Sequence, residues 1–152
     1  MTYDRSDARI SILRVPDQPG VAAKVFDALA EAEIVVDMII QNSSQDGAKT
    51  DLTFTVPKAN VLEAKRLMEI TARELGAESV RADTNISKVS VVGVGMRSHS
   101  GVAAKMFRVL SNAGVNIQMI ATSEIKISIV IDEAYTELAV RVLHTAFELD
   151  AA

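Results

Sequence analysis

The chain has 152 residues, of which 49% are apolar and 24% charged, with a formal net charge of −4. That suffices for one domain or two small ones with a buried core, and the mixed charges leave no basic face for nucleic acid. With no cysteine, disulfides, thiolate zinc sites and cysteine nucleophiles are excluded, which suits a reducing compartment without requiring one; a cytoplasmic location is the expectation. The sequence contains no run of about 18 apolar residues that could span a membrane, and the polar start Met1-Thr2-Tyr3-Asp4-Arg5 does not read as a signal peptide. Tryptophan is absent and aromatics are scarce, so the core must be Val, Ile, Leu, Ala and Met.

In chain order, Arg9–Val15 alternates apolar and polar residues and reads as a half-buried strand. Pro16 ends it. Asp17 is placed to cap a helix, and Pro19 suits the helix's first turn, where a missing N–H costs nothing. Val21, Val25, Leu29 and Ala32 then share one helical face, with Ala22 and Phe26 beside them. Ile34–Gln41 is short and β-branched, so it reads as a second strand. Asn42–Lys49 is a turn containing Asp46-Gly47, and Thr50–Val56 is the antiparallel partner, stopped by Pro57. Val61, Ala64, Met68, Ala72 and Leu75 form a second helical stripe, and Gly76 is a helix stop. Ala77–Ala82 is a short fourth strand.

The chain then repeats itself. Gly20-Val21-Ala22-Ala23-Lys24-Val25-Phe26 returns as Gly101-Val102-Ala103-Ala104-Lys105-Met106-Phe107, with six of seven residues identical. Such self-similarity marks one structural unit used twice. In the second copy Ser87–Val94 is a strand, 95–100 a loop, Gly101–Ala113 a helix, Val115–Ala121 and Ile125–Ile131 a strand pair, and Glu133–Phe147 a helix with Leu138, Val142 and Ala146 inward. The pattern β-α-β-β-α-β is a split βαβ, giving an α+β chain of two ferredoxin-like units, 1–84 and 85–152. The second unit lacks its own fourth strand. An open sheet edge is a liability, so the piece before Arg9 is the expected donor. It is short for that task, which points to a longer segment ahead of it.

Catalysis needs a nucleophile with its base, a metal cluster or a cofactor loop. The two histidines, His99 and His144, fall in different elements, so no metal site is expected; His99 reads as a loop residue and His144 as a solvated helix residue. Gly93–Gly101 matches neither a dinucleotide fingerprint nor a phosphate loop. No catalytic residue and no cofactor are expected. The repeat loop is different. A helix start offers unpaired N–H groups to a carboxylate, Gly20 and Ala22 allow close approach, and Asp17 could face an ammonium group. These are the two ends of a free amino acid. Asp17 as a mere cap and Gly20 as a mere turn residue explain the loop equally well. Gln41 and Asn42 end the second strand, expected beside the first, where Gln41 could reach a ligand. Thr122, Ser123 and Glu124 hold the matching place in the second copy. Asn116 interrupts an apolar strand. Lys24 and Lys105 are expected to be solvated.

Several stretches together are similar to the tandem ACT domains of aspartate kinase, above all its short regulatory β subunit. They are Asp17–Ala22, Asp37–Asn42, Lys88–Met96, Ser98–Val102 and Val115–Ser128. The resemblance implies a chain without the kinase domain. Such a chain senses threonine or lysine, or both, and passes feedback inhibition to a catalytic aspartate kinase chain; it pairs through its ACT domains into a homodimer. It implies too that a segment before the first unit completes the second unit's sheet. Carried over residue by residue, the effector site is Asp17, Gln18, Pro19, Gly20, Val21 and Ala22, with Val35, Val36, Asp37 and Gln41 near it. Val102, Ala103, Asn116, Ile117, Ser123 and Glu124 carry over from the second unit, reaching the pocket across a dimer interface or forming a second site. Met96-Arg97-Ser98-His99 replaces Asp17-Gln18-Pro19 there, so the first unit is expected to bind a free amino acid better. The rival expectation is an assembly module that holds a kinase without binding a ligand; a nucleic-acid-binding ferredoxin-like module is disfavoured by strands with Phe54 as their one aromatic.

Overall fold

The computed structural model describes residues 2–43, 48–92, 99–123 and 125–147. The expected strand end at 93–94, most of the 95–100 loop and the tip of the turn at 44–47 lie outside them. Contacts divide the chain after Thr84 into residues 6–84 and residues 85–152, the latter joined by residues 1–5.

The unit of residues 6–84 is a four-stranded antiparallel sheet backed by two helices. Its elements are β2 (Asp7–Pro16), α1 (Val21–Glu31), β3 (Ile39–Ser43), β4 (Lys49–Pro57), α2 (Val61–Leu75) and β5 (Ser79–Asp83), with strand order β3-β4-β2-β5. The other unit contains β6 (Ile86–Val92), α3 (His99–Asn112), β7 (Met119–Thr122), β8 (Lys126–Asp132) and α4 (Thr136–Phe147). Its fourth strand is β1 (Thr2–Asp4), paired antiparallel to β6 in the order β1-β6-β8-β7. β1 therefore stands beside β6 where β5 stands beside β2, and its register places Tyr3 opposite the core residue Val89.

Alternation builds both cores. Ile10, Ile12, Leu52, Phe54 and Val56 point from the first sheet toward Val25 and Leu29 of α1 and Ala64 and Met68 of α2. Phe26 meets Phe54 edge to face, with ring centroids 5.5 Å apart, an arrangement worth about 0.5–1.5 kcal/mol beyond burial. In the second unit Val89, Val91, Ile127, Ile129 and Ile131 meet Met106, Leu110, Ala139 and Leu143. The buried stripe of α4 runs through Thr136, Ala139 and Leu143, and the expected Leu138 and Val142 flank it, partly buried against the same core. On the opposite face of each sheet a hydroxyl pair links the central strands. Ser11 and Thr53 are 3.0 Å apart in one, and Ser90 and Ser128 are 2.7 Å apart in the other.

Several boundaries differ from expectation for one physical reason. Helices α1, α2 and α3 all close through a reversed turn with a left-handed residue: Glu33 at φ 59, Gly76 at φ 73 and Gly114 at φ 77. The next residue then donates back into the helix: Ile34 to the Leu29 carbonyl at 3.0 Å, Ala77 to Ala72 at 2.8 Å and Val115 to Leu110 at 2.9 Å. This is the Schellman closure, which seats an apolar residue just past the helix. Ile34 and Val115 are that residue, not strand starts, so the strands begin only at Ile39 and Met119. At the second helix pair, Asp132 accepts the Ala134 N–H at 2.9 Å and opens a 3-10 turn, Glu133–Tyr135, so α4 begins at Thr136 rather than Glu133. Helix α3 begins two residues early and includes His99.

β2 carries a bulge. Ile12 faces Leu52, yet Val15 faces Thr50, so three steps on β2 match two on β4. Arg14 takes φ 55 there and donates its N–H to Asp51 at 2.9 Å. The extra residue resets the alternation, returning Val15 to the core just ahead of the loop.

Candidate functional site

The loop after β2 is held by its backbone. The Asp17 N–H bonds to the Ala48 carbonyl at 3.1 Å, and the Gln18 N–H bonds back to Pro16 at 3.1 Å. Gly20, not Asp17, is the N-cap of α1, at φ 91, and no side chain caps the helix. The expectation that Asp17 caps α1 is therefore corrected: two further residues and a left-handed glycine separate it from the first helical residue. Asp17, Gln18, Pro19 and Gly20 are all exposed. The first turn of any helix leaves its N–H groups without intrahelical acceptors, and at α1 Ala22 and Ala23 present theirs from exposed residues. Val21 is half-buried against the core. One end of this unit thus offers an exposed carboxylate and an uncapped helix start.

Gln41 reaches the same end by a different route from the one expected. β3 does not neighbour β2; β4 runs between them. Two strand spacings place β3 about 10 Å from β2. Gln41 lies opposite the buried Leu52, on the helix-facing side of an edge strand, and Thr50 donates to the Asn42 carbonyl. The second strand therefore forms the outer wall of the unit.

Val35, Val36 and Asp37 lie elsewhere. The Asp37 N–H bonds to the Thr55 carbonyl at 3.1 Å, whereas the loop end of the sheet is at Thr50. Five strand residues separate the two levels, about 17 Å. Val35 is 68% exposed, and Val36 packs on the core. The second unit divides in the same way. Val102 and Ala103 pack at the start of α3, and Ser123 donates its N–H to Lys126 at 2.7 Å in the turn beyond β7. Glu124 lies outside the described residues, as do Met96, Arg97 and Ser98. Asn116 and Ile117 precede β7 at the opposite end, in a shallow cavity of about 370 Å³ shared with Phe107 and Ser111. Asn116 interrupts no strand.

Two features had no sequence signal. A groove of about 530 Å³ between α1 and α2 begins at Gly20 and runs past Lys24, Asp27, Leu67 and Thr71. Edge residues Ile39 and Ile120, 53% and 41% exposed, occupy matching places in β3 and β7; the 81-residue offset of the repeat relates them. Lys24 pairs with Glu74 at 3.0 Å, and Lys105 lies 5.0 Å from the Phe147 ring centre, so neither is simply solvated.

The ACT domain family model matches residues 13–69 and 89–147, one match per unit. A crystal structure described as the regulatory subunit of aspartate kinase from Thermus thermophilus, in ligand-free form, is 46% identical. It superposes with a TM-score of 0.89, covering 96% of this chain and 95% of that one. The chain belongs to the ACT domain family, and it is similar to the tandem ACT domains of aspartate kinases. A crystal structure of aspartokinase alpha and beta subunits contains a similar ACT chain, 51% identical at a TM-score of 0.90, with 97% of this chain and 96% of that one covered. An aspartate kinase of Pseudomonas fluorescens (strain SBW25) is 56% identical over 99% of this chain but only 36% of its own length. The ACT pair described here spans about a third of the curated relatives it matches.

Proposed function

We propose that this ACT pair is the amino-acid sensor of an aspartate kinase, binding threonine or lysine, or both, and passing feedback inhibition to a catalytic chain in the cytoplasm. One observation carries the reading: the exposed Asp17 carboxylate and the uncapped start of α1 lie at one end of a unit, and neither is consumed by the other. A ligand carboxylate docks on the N–H groups of Ala22 and Ala23, where the helix dipole favours negative charge. Its ammonium faces Asp17, and its side chain extends toward Gln41.

Val35, Val36 and Asp37 are too far from Asp17 to serve the same ligand within one unit. Asn116 and Ile117 are the repeat equivalents of Val35 and Val36, and their cavity suits a closing wall supplied by a partner chain. On this reading the sensor works as a homodimer, and ligand binding shifts the balance between its arrangements only by its differential affinity for them.

A second reading, pure assembly without a ligand, is favoured by the exposed Ile39 and Ile120 on the two edge strands, since bare apolar edges invite pairing. Titration calorimetry with threonine and with lysine separates the two. Saturable heat from either supports the sensor; no heat and no rise in melting temperature at millimolar concentrations of both leaves only assembly.

A further inference from the structure

We propose that the groove between β1 and α4 is a binding site for a small organic anion carrying an aromatic ring, and that its ligand fastens β1 to the second unit. The site shares no residue with the candidate effector positions.

The geometry begins with register. Tyr3 pairs with the core residue Val89, so Tyr3 faces the helix side of β1, and Arg5, one residue past the strand's end, lines the same groove. On α4, residues 137, 141 and 144 follow helical spacing along one stripe. The two rows enclose a cavity of about 380 Å³ lined by Tyr3, Arg5, Glu137, Val140, Arg141 and His144, among others. That volume lies within the range of small-molecule sites, about 300–1,000 Å³.

Charge selects the ligand. The chain as a whole carries −4, yet among the described residues lining this groove two guanidinium groups and an imidazole stand with the single carboxylate of Glu137. Among the described residues neither Arg5 nor Arg141 forms an ion pair. Arginine presents a planar fork that matches carboxylate and phosphate oxygens, and weaker hydration makes it the better cation for such a pocket. Arg5 already lies 5.9 Å from the centre of the Tyr3 ring, and that ring is 58% exposed. An aromatic body can stack on Tyr3 while its anionic group bridges Arg5 and Arg141.

The bridge has a mechanical effect. β1 is three residues long and meets β6 over three residue pairs, so little backbone bonding holds it. A ligand touching Arg5, directly after the strand, and Arg141 on the helix adds a second attachment.

The test uses the whole chain, with phenyl phosphate and benzoate as probes in separate calorimetric titrations at low salt. Saturable binding of either is expected, and which of the two binds identifies the anionic group. Arg141→Ala, on the exposed side of α4, should weaken it about tenfold and leave the melting temperature of the unliganded protein unchanged. Arg141→Lys should recover part of the loss. Hydrogen exchange at residues 3–5 should slow when the probe binds. The proposal is overturned if neither probe binds, if binding is indifferent to Arg141→Ala, or if binding leaves exchange at residues 3–5 unaltered.

Discussion

Asp17→Ala separates binding from folding more cleanly than a typical loop mutation. An aspartate that caps a helix costs about 0.5–2 kcal/mol when truncated, and any loss of ligand affinity would then be confounded with a loosened helix. Here Asp17 is not the cap, its side chain is exposed, and its backbone N–H bond to Ala48 survives truncation. Stability should therefore change by less than about 0.5 kcal/mol. A ligand ammonium facing the carboxylate makes a charge-assisted bond worth about 1.5–3 kcal/mol, and exposure to solvent puts Asp17 at the low end. Threonine has eight heavy atoms; at about 0.7 kcal/mol each, its dissociation constant is of the order of 100 μM. Asp17→Ala should raise that about tenfold, and Asp17→Asn, which keeps the oxygen but not the charge, should do nearly the same. The measurement is parallel calorimetry and thermal melting on the wild type and both variants. Affinity kept within twofold in both variants would refute the ammonium contact. A melting temperature lowered by several degrees would instead show that Asp17 holds the loop.

Gly20→Ala tests the backbone at the same site: no heavy atom lies within 4 Å of the added Cβ, so the cost is the φ of +91 alone, about 1–2 kcal/mol, read as a lower urea midpoint. Asp51→Ala removes the acceptor that holds Arg14 in the β2 bulge; a loss of about 1 kcal/mol and weaker effector binding are expected, with Asp51→Asn restoring most of both. Ser87 is fully buried, and its hydroxyl has no partner among the described residues. Ser87→Ala should therefore stabilise by about 1 kcal/mol, and a lower melting temperature would mean that the hydroxyl is satisfied after all. Phe54→Ala should cost about 3–5 kcal/mol, since it empties the centre of the first core and the Phe26 contact, and chemical denaturation will measure it.

The topology was readable because each strand and helix announced itself by period. Ile10, Ile12, Leu52, Phe54 and Val56 alternate, while Val25 and Leu29, or Met106 and Leu110, recur at four. Even the missing fourth strand of the second unit could be inferred by counting, and β1 stands beside β6. The end of α2 at Gly76 was legible, but the apolar residues that close α1 and α3 were hidden. Ile34 and Val115 are β-branched and follow a helix, which matches a strand start in composition; the signal lay one residue earlier, plainly in Gly114 and concealed in Glu33, a non-glycine in the left-handed region. The β2 bulge was legible in principle, because apolar residues fall at 10, 12, 13 and 15 and no single alternation holds all four. The site was harder. Local patterning pointed to Asp17, Gly20, Ala22 and Gln41, and the family resemblance implied the rest, but neither could say how far Gln41 stands from Asp17, since that depends on β3 pairing with β4 rather than β2.

That placement has a thermodynamic consequence for the proposed sensor. Asp17 and the start of α1 sit at one end of their unit, while Val35 and Asp37, like Asn116 and Ile117 in the other copy, sit at the end where the helix closes. If Asn116 and Ile117 of a partner chain close over a ligand held by the first set, two chains contribute, and occupancy becomes linked to assembly. Ligand then stabilises the associated form by mass action, and dilution weakens apparent affinity even though no contact within a chain changes. A site built wholly within one unit would bind with the same constant at every protein concentration. Calorimetric affinity measured across a hundredfold range of chain concentration distinguishes the two, and a constant value would confine the effector to Asp17, Gln41 and the first turn of α1.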